Sequence, residues 1–160
     1  MTNKNDFIVK ILNEFKSSGI KKYIEWELNE IPAQPTNNYL KYAYEEYICF
    51  KIKPPDSNFK IIAESKNGEI NEFYIHTFVL NSEYFIKLLY SDFTPYYSIN
   101  INVVNNEVID ILLKYLYTGI IDEFIPLDVL VELGKISDEY KFDNLNQICQ
   151  IRNTFYNLLL

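Results

Sequence analysis

The chain contains a single histidine, His76, within the apolar stretch YIHTFVLNSEYF at residues 74–85. A histidine can act as a catalytic base or bind a metal ion, but either role requires partner side chains that orient it. Its other common role is structural, in which the ring packs in the core and hydrogen-bonds free backbone groups. We expect the structural role for His76, because the sequence offers no evident partner set.

Other residue types that carry chemistry are also poorly placed. The sequence has no Gly-x-Ser-x-Gly element to present a nucleophilic serine. Its four glycines are too widely separated to build a phosphate-binding loop. Adjacent carboxylates at 122–123 and 138–139 diverge around a helix axis and are expected to be solvated. The two cysteines, Cys49 and Cys149, are far apart, and we expect both to be small buried hydrophobic residues. We therefore predict no catalytic residue, metal or cofactor, and no enzyme.

Composition restricts the partners. The chain has 160 residues, of which 48% are hydrophobic, and a net charge of −7. An acidic chain without a dense basic cluster is unsuited to binding nucleic acid, which needs Lys and Arg at the phosphates. No apolar run approaches the roughly 20 residues that span a bilayer. These features predict an intracellular, cytoplasmic protein (the nucleus is the alternative) that binds neither nucleic acid nor membrane. Abundant Ile, Asn, Lys and Tyr suggest an A+T-rich genome, as in large DNA viruses or amoebae.

The first third of the chain shows two patterns separated by a loop. Residues 6–19 have helical spacing, with Phe7, Ile8, Ile11, Leu12 and Phe15 on one stripe. The proline-containing stretch at 30–38 predicts a loop or linker. Residues 42–52 alternate with period two and predict a strand, broken at Glu46.

From residue 58 onward the pattern predicts a hairpin, a helix pair, a strand and about three more helices. The hairpin comprises FKIIAE, a turn at Asn67-Gly68 and EFYIH. One helical turn follows His76, Ser82 caps the next helix, and YSININV forms a strand. Gly119 ends the following helix. This order predicts an α+β fold with a small sheet flanked by helices. We divide the chain into an N-terminal region at 1–57 and a core at 58–160.

The core resembles the BTB/POZ domain over roughly residues 58–150. Five segments carry the resemblance, in the order expected for that family, and the helix at 7–15 resembles the family's first helix. The segments are FKII, FYIHTFVLNSEYFIKLLYSDF, INV, LLKYLYTGIID and ISDEYKFDNLNQIC. The resemblance implies a compact α+β domain that mediates protein–protein interaction.

Two kinds of partner follow from this resemblance. Family members commonly homodimerise through the first helix, which here supplies Ile8, Ile11, Leu12 and Phe15; the alternative is that this stripe packs within its own chain. Many members also bind a cullin scaffold as adaptors of ubiquitin ligases. In those members a hydrophobic-x-Glu element follows the helix that here ends near residue 92. The cullin-contact candidates are therefore Tyr90, Ser91 and Phe93, unless Phe93 packs into the domain itself.

Three departures from the family bear on these expectations. Pro95 replaces the glutamate of the cullin-binding element. Asn58 stands where the family usually has an aspartate before its first core strand. About forty residues separate the predicted first helix from that strand, where the family has a short link; this insertion is expected to add a strand to the sheet or to cover the dimer surface.

The sequence leaves three functions open. The first is a homodimeric cullin adaptor. The second is a scaffold or decoy that self-associates without binding cullin, which Pro95 and the lack of a recognisable recruitment domain favour. The third is a monomeric adaptor similar to Skp or elongin-C, whose partner would be a short hydrophobic helix.

Overall fold

A computed structural model describes residues 38–90 and 97–159 of the chain. These residues form five α-helices, two short 3₁₀ helices and one sheet of three strands. In chain order the elements are α1 (Asn38–Glu46), a 3₁₀ helix (Ile48–Phe50), β1 (Phe59–Ser65), β2 (Ile70–Ile75), a 3₁₀ helix (Thr77–Val79), α2 (Glu83–Leu89), β3 (Ser98–Val103), α3 (Glu107–Thr118), α4 (Leu127–Glu139) and α5 (Asp143–Leu159).

The sheet is mixed, with β1 in the middle. β2 pairs antiparallel with β1, and β3 pairs parallel on its other side, so the strand order is β2-β1-β3. Ile62 at the centre of β1 lies opposite Glu72 of β2 and Asn100 of β3. Side chains alternate across the sheet, so one face is apolar and buried. The buried residues are Phe59, Ile61, Ala63, Phe73, Ile75, Ile101 and Val103.

Helix α3 is the centre of the helical layer. It is buried on almost every side, and a helix that is apolar all round belongs in the interior of a domain. It contacts α1 and α4, and α4 packs against α5. Its buried side chains are Val108, Ile109, Leu112, Leu113, Tyr115, Leu116 and Tyr117.

Several predicted boundaries are confirmed. Ser82 is the N-cap of α2, and its side chain accepts a hydrogen bond from the Phe85 backbone N–H. Gly119 ends α3 with φ 74°, a left-handed conformation that costs glycine little. The predicted hairpin is β1–β2, and the predicted α+β class with a small mixed sheet is correct. None of the helices within the described residues is long and apolar enough to cross a membrane.

The strand predicted at 42–52 is wrong. These residues lie in α1, in the first 3₁₀ helix and in the loop after it. Two periodicities coincide here. The period-two pattern is contradicted by Tyr42, Phe50 and Ile52, which are exposed. The competing helical pattern starts at Leu40 and continues through Ala43 to Ile48, and all three residues are buried. Packing of α1 against α3 selects the helix, and residues 38–57, the described part of the insertion, add no strand to the sheet.

The two cysteines differ from the expectation that both are buried. Cys149 is buried, as predicted, whereas Cys49 is exposed. Cys49 lies on the first 3₁₀ helix, where its thiol donates to the Glu45 carbonyl at 3.1 Å. The prediction failed for Cys49 because it rested only on the usual burial of free cysteines, whereas this residue lies on an exposed side of the 3₁₀ helix.

Candidate interaction surface

His76 lies where β2 ends and the second 3₁₀ helix begins, and it is 1% exposed. Its Nδ1 lies 2.8 Å from the Tyr117 hydroxyl, and its backbone N–H donates to the same hydroxyl at 2.9 Å. Its Nε2 lies 2.9 Å from the Pro55 carbonyl oxygen. The ring therefore joins the sheet, helix α3 and the loop before β1.

The partners of the ring determine its protonation. The Pro55 carbonyl can only accept, so we assign the proton of the neutral imidazole to Nε2. Nδ1 then accepts the proton of the Tyr117 hydroxyl, whose oxygen is free to accept from the His76 backbone N–H. Burial raises the pKa of Tyr117, which keeps the hydroxyl protonated and able to donate. Every polar atom of His76 is thus satisfied, and the histidine has the structural role expected from the sequence.

Asn58 holds the same junction from the outside. Its side-chain oxygen accepts from the Thr77 backbone N–H at 2.8 Å, and its amide nitrogen donates to the Thr77 hydroxyl at 3.1 Å. The first of these bonds satisfies a backbone donor at the start of the 3₁₀ helix. An aspartate could accept both hydrogens, so the change to asparagine at this position preserves the contact.

Two exposed aromatic residues pack against buried His76, and a third lies next to them on α1. Tyr39 of α1 lies edge-on to the His76 ring, with 5.9 Å between the ring centroids. The ring of Phe78, on the second 3₁₀ helix, lies 5.2 Å from the His76 ring. Tyr42 lies one turn along α1 from Tyr39. Tyr39, Tyr42 and Phe78 are 47%, 53% and 55% exposed. We call these three residues the aromatic patch; exposed aromatic side chains on a rigid base are typical of protein-binding surfaces.

The end of helix α2 carries a second exposed apolar pair. Tyr90 follows the last residue of α2 and is 78% exposed, and Ile86, one turn earlier, is 48% exposed. Tyr90 is the one cullin-contact candidate that the structure describes, and it is accessible. Ser91 and Phe93 lie outside the described residues, as does the whole predicted dimer stripe of Ile8, Ile11, Leu12 and Phe15.

A metal site requires several ligating side chains that lie close together. Among the described residues, no group of three or more His, Cys, Asp and Glu side chains lies close enough to hold a metal ion. A cleft of about 300 Å³ beside the start of α2 is lined by residues such as Glu83, Lys141 and Asp143, with no histidine or cysteine. Among the described residues, the aromatic patch and the pair Ile86 and Tyr90 are exposed apolar surfaces.

Comparison with known proteins decides the family. A family model for the BTB/POZ domain matches residues 62–154, which is more than half of the chain. The chain belongs to the BTB/POZ family. Its structure is similar to that of the BTB domain of zebrafish PATZ1, with a TM-score of 0.50 and 18% identity over 70% of this chain and 85% of that chain. At this identity the likeness shows the fold alone. No curated protein sequence matches the chain.

Membership of the BTB/POZ family identifies the matched region as a protein–protein interaction module. The sequence pattern located this domain correctly and missed the aromatic patch. Tyr42 was predicted to lie on a strand and Tyr39 was given no element, so the helical spacing of the two residues was not recognised. The signal that could have found them is the run Leu40, Ala43 and Ile48, which fixes α1 and leaves both tyrosines on its outer side.

Proposed function

We propose that this BTB/POZ domain is a self-associating interaction module with no enzymatic role, and that its main partner is a second copy of itself. The observation that supports this most strongly is the aromatic patch. Tyr39 and Phe78 lie exposed beside the His76 ring, and Tyr42 extends this surface along α1. Hydrogen bonds to Tyr117 and Pro55 hold the ring in place, so the base of the surface is fixed. Rigid surfaces lose little conformational entropy on binding.

The position of α1 supports the same contact. In the family the first helix is joined to the first core strand by a short link and packs near the dimer axis. Helix α1 ends at Glu46, and β1 begins at Phe59, so α1 matches that short link better than residues 7–15 do. We propose that α1 takes the place of the family's first helix and that Tyr39 and Tyr42 contact the partner copy.

The stripe of Ile8, Ile11, Leu12 and Phe15 is the competing dimer surface. It has helical spacing and one apolar side, but it lies far from β1 along the chain. The two surfaces make different predictions about which substitution dissociates the dimer, and this allows a direct test.

Sedimentation velocity of the full chain over a concentration series provides this test. Tyr42→Asp should weaken the dimer at least tenfold, because it introduces a carboxylate into an apolar contact. Ile11→Asp should do so only if the stripe forms the interface. Tyr90→Asp, on a different exposed element, is the matched control and should leave the mass unchanged. A wild-type chain that remains monomeric at high concentration would contradict self-association and favour the Skp-like or elongin-C-like alternative.

A second proposed function is that of a cullin adaptor, and the exposed end of α2 supports it. Tyr90 and Ile86 share one side of the helix and present apolar surface directly before the segment that contains Ser91 and Phe93. Aromatic side chains of this kind are the common anchors of interfaces. Pro95 in place of the usual glutamate removes one acceptor but leaves the apolar anchor Phe93.

Titration calorimetry with the N-terminal domain of a cullin tests the adaptor function. Binding should be measurable at tens of micromolar, and Phe93→Ala should weaken it by about 1–3 kcal/mol, as expected for an aromatic anchor. Tyr90→Ala should weaken it less, since this residue lies at the helix end. Ile70→Ala, on the sheet, is the control. Absence of heat and of co-elution would leave the self-associating scaffold as the function.

A further inference from the structure

The two edges of the sheet are built differently. Ile62 of β1 lies between Glu72 of β2 and Asn100 of β3, so these two residues occupy equivalent central positions on opposite edges. An exposed edge strand offers unpaired N–H and C=O groups to any other strand, and proteins usually protect such edges with charge or with covering segments. Among the residues that the structure describes, only the β2 edge is protected in this way.

The β2 edge carries charge and a covering segment. The bond from the Ser65 N–H to the Glu69 carbonyl places residues 69, 71, 73 and 75 toward β1, so Ile70, Glu72 and Tyr74 direct their backbone groups outward. Glu72 is charged and lies 3.4 Å from Lys60. Lys53 lies over the Tyr74 ring at 5.2 Å, on the loop that Pro55 ties to His76. An incoming strand would have to displace these side chains.

Within residues 38–90 and 97–159, no charged side chain of β3 and no covering segment protects the β3 edge. The Lys60 N–H donates to the Tyr97 carbonyl, so in the parallel ladder Ile99, Ile101 and Val103 bond to β1. Ser98, Asn100 and Asn102 therefore direct their backbone groups away from the sheet. Their side chains are exposed and uncharged, and no other strand of the described residues pairs with them.

The charge distribution identifies the partner. The chain carries a net charge of −7, so two copies repel each other over most of their surface. Residues 93–106, which include all of β3, contain no Asp, Glu, Lys or Arg. A second β3 can approach this edge without bringing like charges together. We infer that β3 is a second self-association surface, which pairs edge to edge and antiparallel with β3 of another copy.

The register of this pairing follows from the outward groups. A two-fold axis at Asn100 places Asn100 opposite Asn100 of the second copy, and Ser98 opposite Asn102. The three residues on each strand then exchange about six hydrogen bonds across the interface. This surface is separate from the aromatic patch, so it does not depend on the dimer proposed above.

Cysteine cross-linking tests the register. In a hydrogen-bonded antiparallel pair the Cα atoms lie about 5.5 Å apart, within the range that a disulfide bridges. In a Cys49→Ser background, which removes the exposed native thiol, Asn100→Cys should form a covalent dimer under mild oxidation at tens of micromolar protein. Glu72→Cys, at the equivalent position of the protected edge, should remain monomeric on a non-reducing gel. Equal cross-linking of the two variants, or none from Asn100→Cys, would overturn the inference.

A charge substitution tests the same edge without a covalent bond. Asn100→Lys faces solvent in the monomer, so its circular dichroism spectrum should match that of the wild type. In a Tyr42→Asp background the remaining dimer should dissociate at least tenfold more readily with Asn100→Lys than without it. If Tyr42→Asp alone gives monomers and Asn100→Cys fails to cross-link, the β3 inference fails while the helix dimer stands. If cross-linking persists and Tyr42→Asp has no effect on mass, the helix dimer fails while the β3 pairing stands.

Discussion

The hydrogen bonds between Tyr117 and His76 are the contact whose removal should affect stability most clearly. Tyr117→Phe deletes one hydroxyl and keeps the ring, so the buried shape is almost unchanged. The substitution leaves two polar groups of His76 without a partner, namely Nδ1 and the backbone N–H. His76 is 1% exposed, so water cannot replace the lost hydroxyl without rearrangement.

The loss in free energy of unfolding follows from the two groups that Tyr117→Phe leaves unsatisfied. A buried donor or acceptor left unsatisfied costs about 1–3 kcal/mol. Part of this cost is recovered, because Tyr117→Phe also removes a hydroxyl whose own desolvation opposes folding. For two such groups we expect the free energy of unfolding to fall by about 2–4 kcal/mol. In a chain of this size each kcal/mol lowers Tm by about 2–4 °C, so Tm should fall by roughly 4–16 °C.

Urea unfolding followed by circular dichroism measures the effect directly, and thermal unfolding provides the second reading. Tyr74→Phe is the matched control. Its hydroxyl donates to Glu72 at 3.3 Å on the surface, so its removal should cost less than about 0.5 kcal/mol. A double-mutant cycle with His76→Leu isolates the side-chain contact, because the double variant lacks both Nδ1 and the hydroxyl, whereas the backbone N–H at residue 76 is unpaired both in Tyr117→Phe and in the double variant.

The two substitutions should be strongly non-additive. The double variant should be less destabilised than the sum of the two single variants by at least about 1 kcal/mol, because each single variant leaves the other partner unsatisfied. Strict additivity, or a loss below about 0.5 kcal/mol for Tyr117→Phe, would refute the assignment of His76 as a structural hydrogen-bonding centre.

Three further predictions concern stability. Glu132→Ala should cost about 1–2 kcal/mol in urea unfolding, because the Glu132 carboxylate accepts from the backbone N–H groups of Val104 and Asn105 at 2.7 and 3.0 Å. Gly119→Ala should lower Tm by an amount equivalent to about 1–2 kcal/mol, because φ at this position is 74°. Burial raises the pKa of Asp110 above 3.8, so its ionisation opposes folding at neutral pH. Asp110→Asn should therefore raise Tm at pH 7, and the gain should disappear as the pH falls below 3.8, where the carboxyl is protonated in both states; a gain that persists there would contradict this cause.

The sheet and the central helix were predictable because local patterns agree with the tertiary structure there. Strand β1 alternates buried and less buried side chains, and Asn67-Gly68 provides the turn that joins it to β2. Gly119 marks the end of α3 because the backbone is left-handed at this position, a conformation that glycine adopts with little strain. In each case the residue types specify the same answer as the packing does.

Helix α1 was not predictable because two periods fit its residues equally well. Tyr44 and Ile48 belong to both the alternating pattern and the helical one. The decision between the patterns comes from contacts with α3, whose residues are about seventy positions away in the chain. The aromatic patch depends on the same contacts, so the error in secondary structure concealed it as well.

The hydrogen bonds of His76 were hidden from sequence reasoning for a related reason. Tyr117 is 41 residues and Pro55 is 21 residues away in the chain, and no local spacing connects them. The sequence indicated that His76 lacked catalytic partners, but it could not indicate which groups satisfy the ring. That information requires the fold.

Two self-association surfaces on one domain have a consequence that one surface lacks. A single two-fold contact through the aromatic patch closes at the dimer, because each copy uses the same surface on both sides. If β3 provides a second two-fold contact, each dimer still has two unpaired β3 edges. Assembly then continues beyond the dimer, unless the two-fold axes of the two contacts intersect and close a tetramer. The average mass should therefore exceed that of a dimer as concentration rises, and Asn100→Lys should return it to the dimer. A mass that stops at the dimer in the unmodified chain would show that only one of the two surfaces operates.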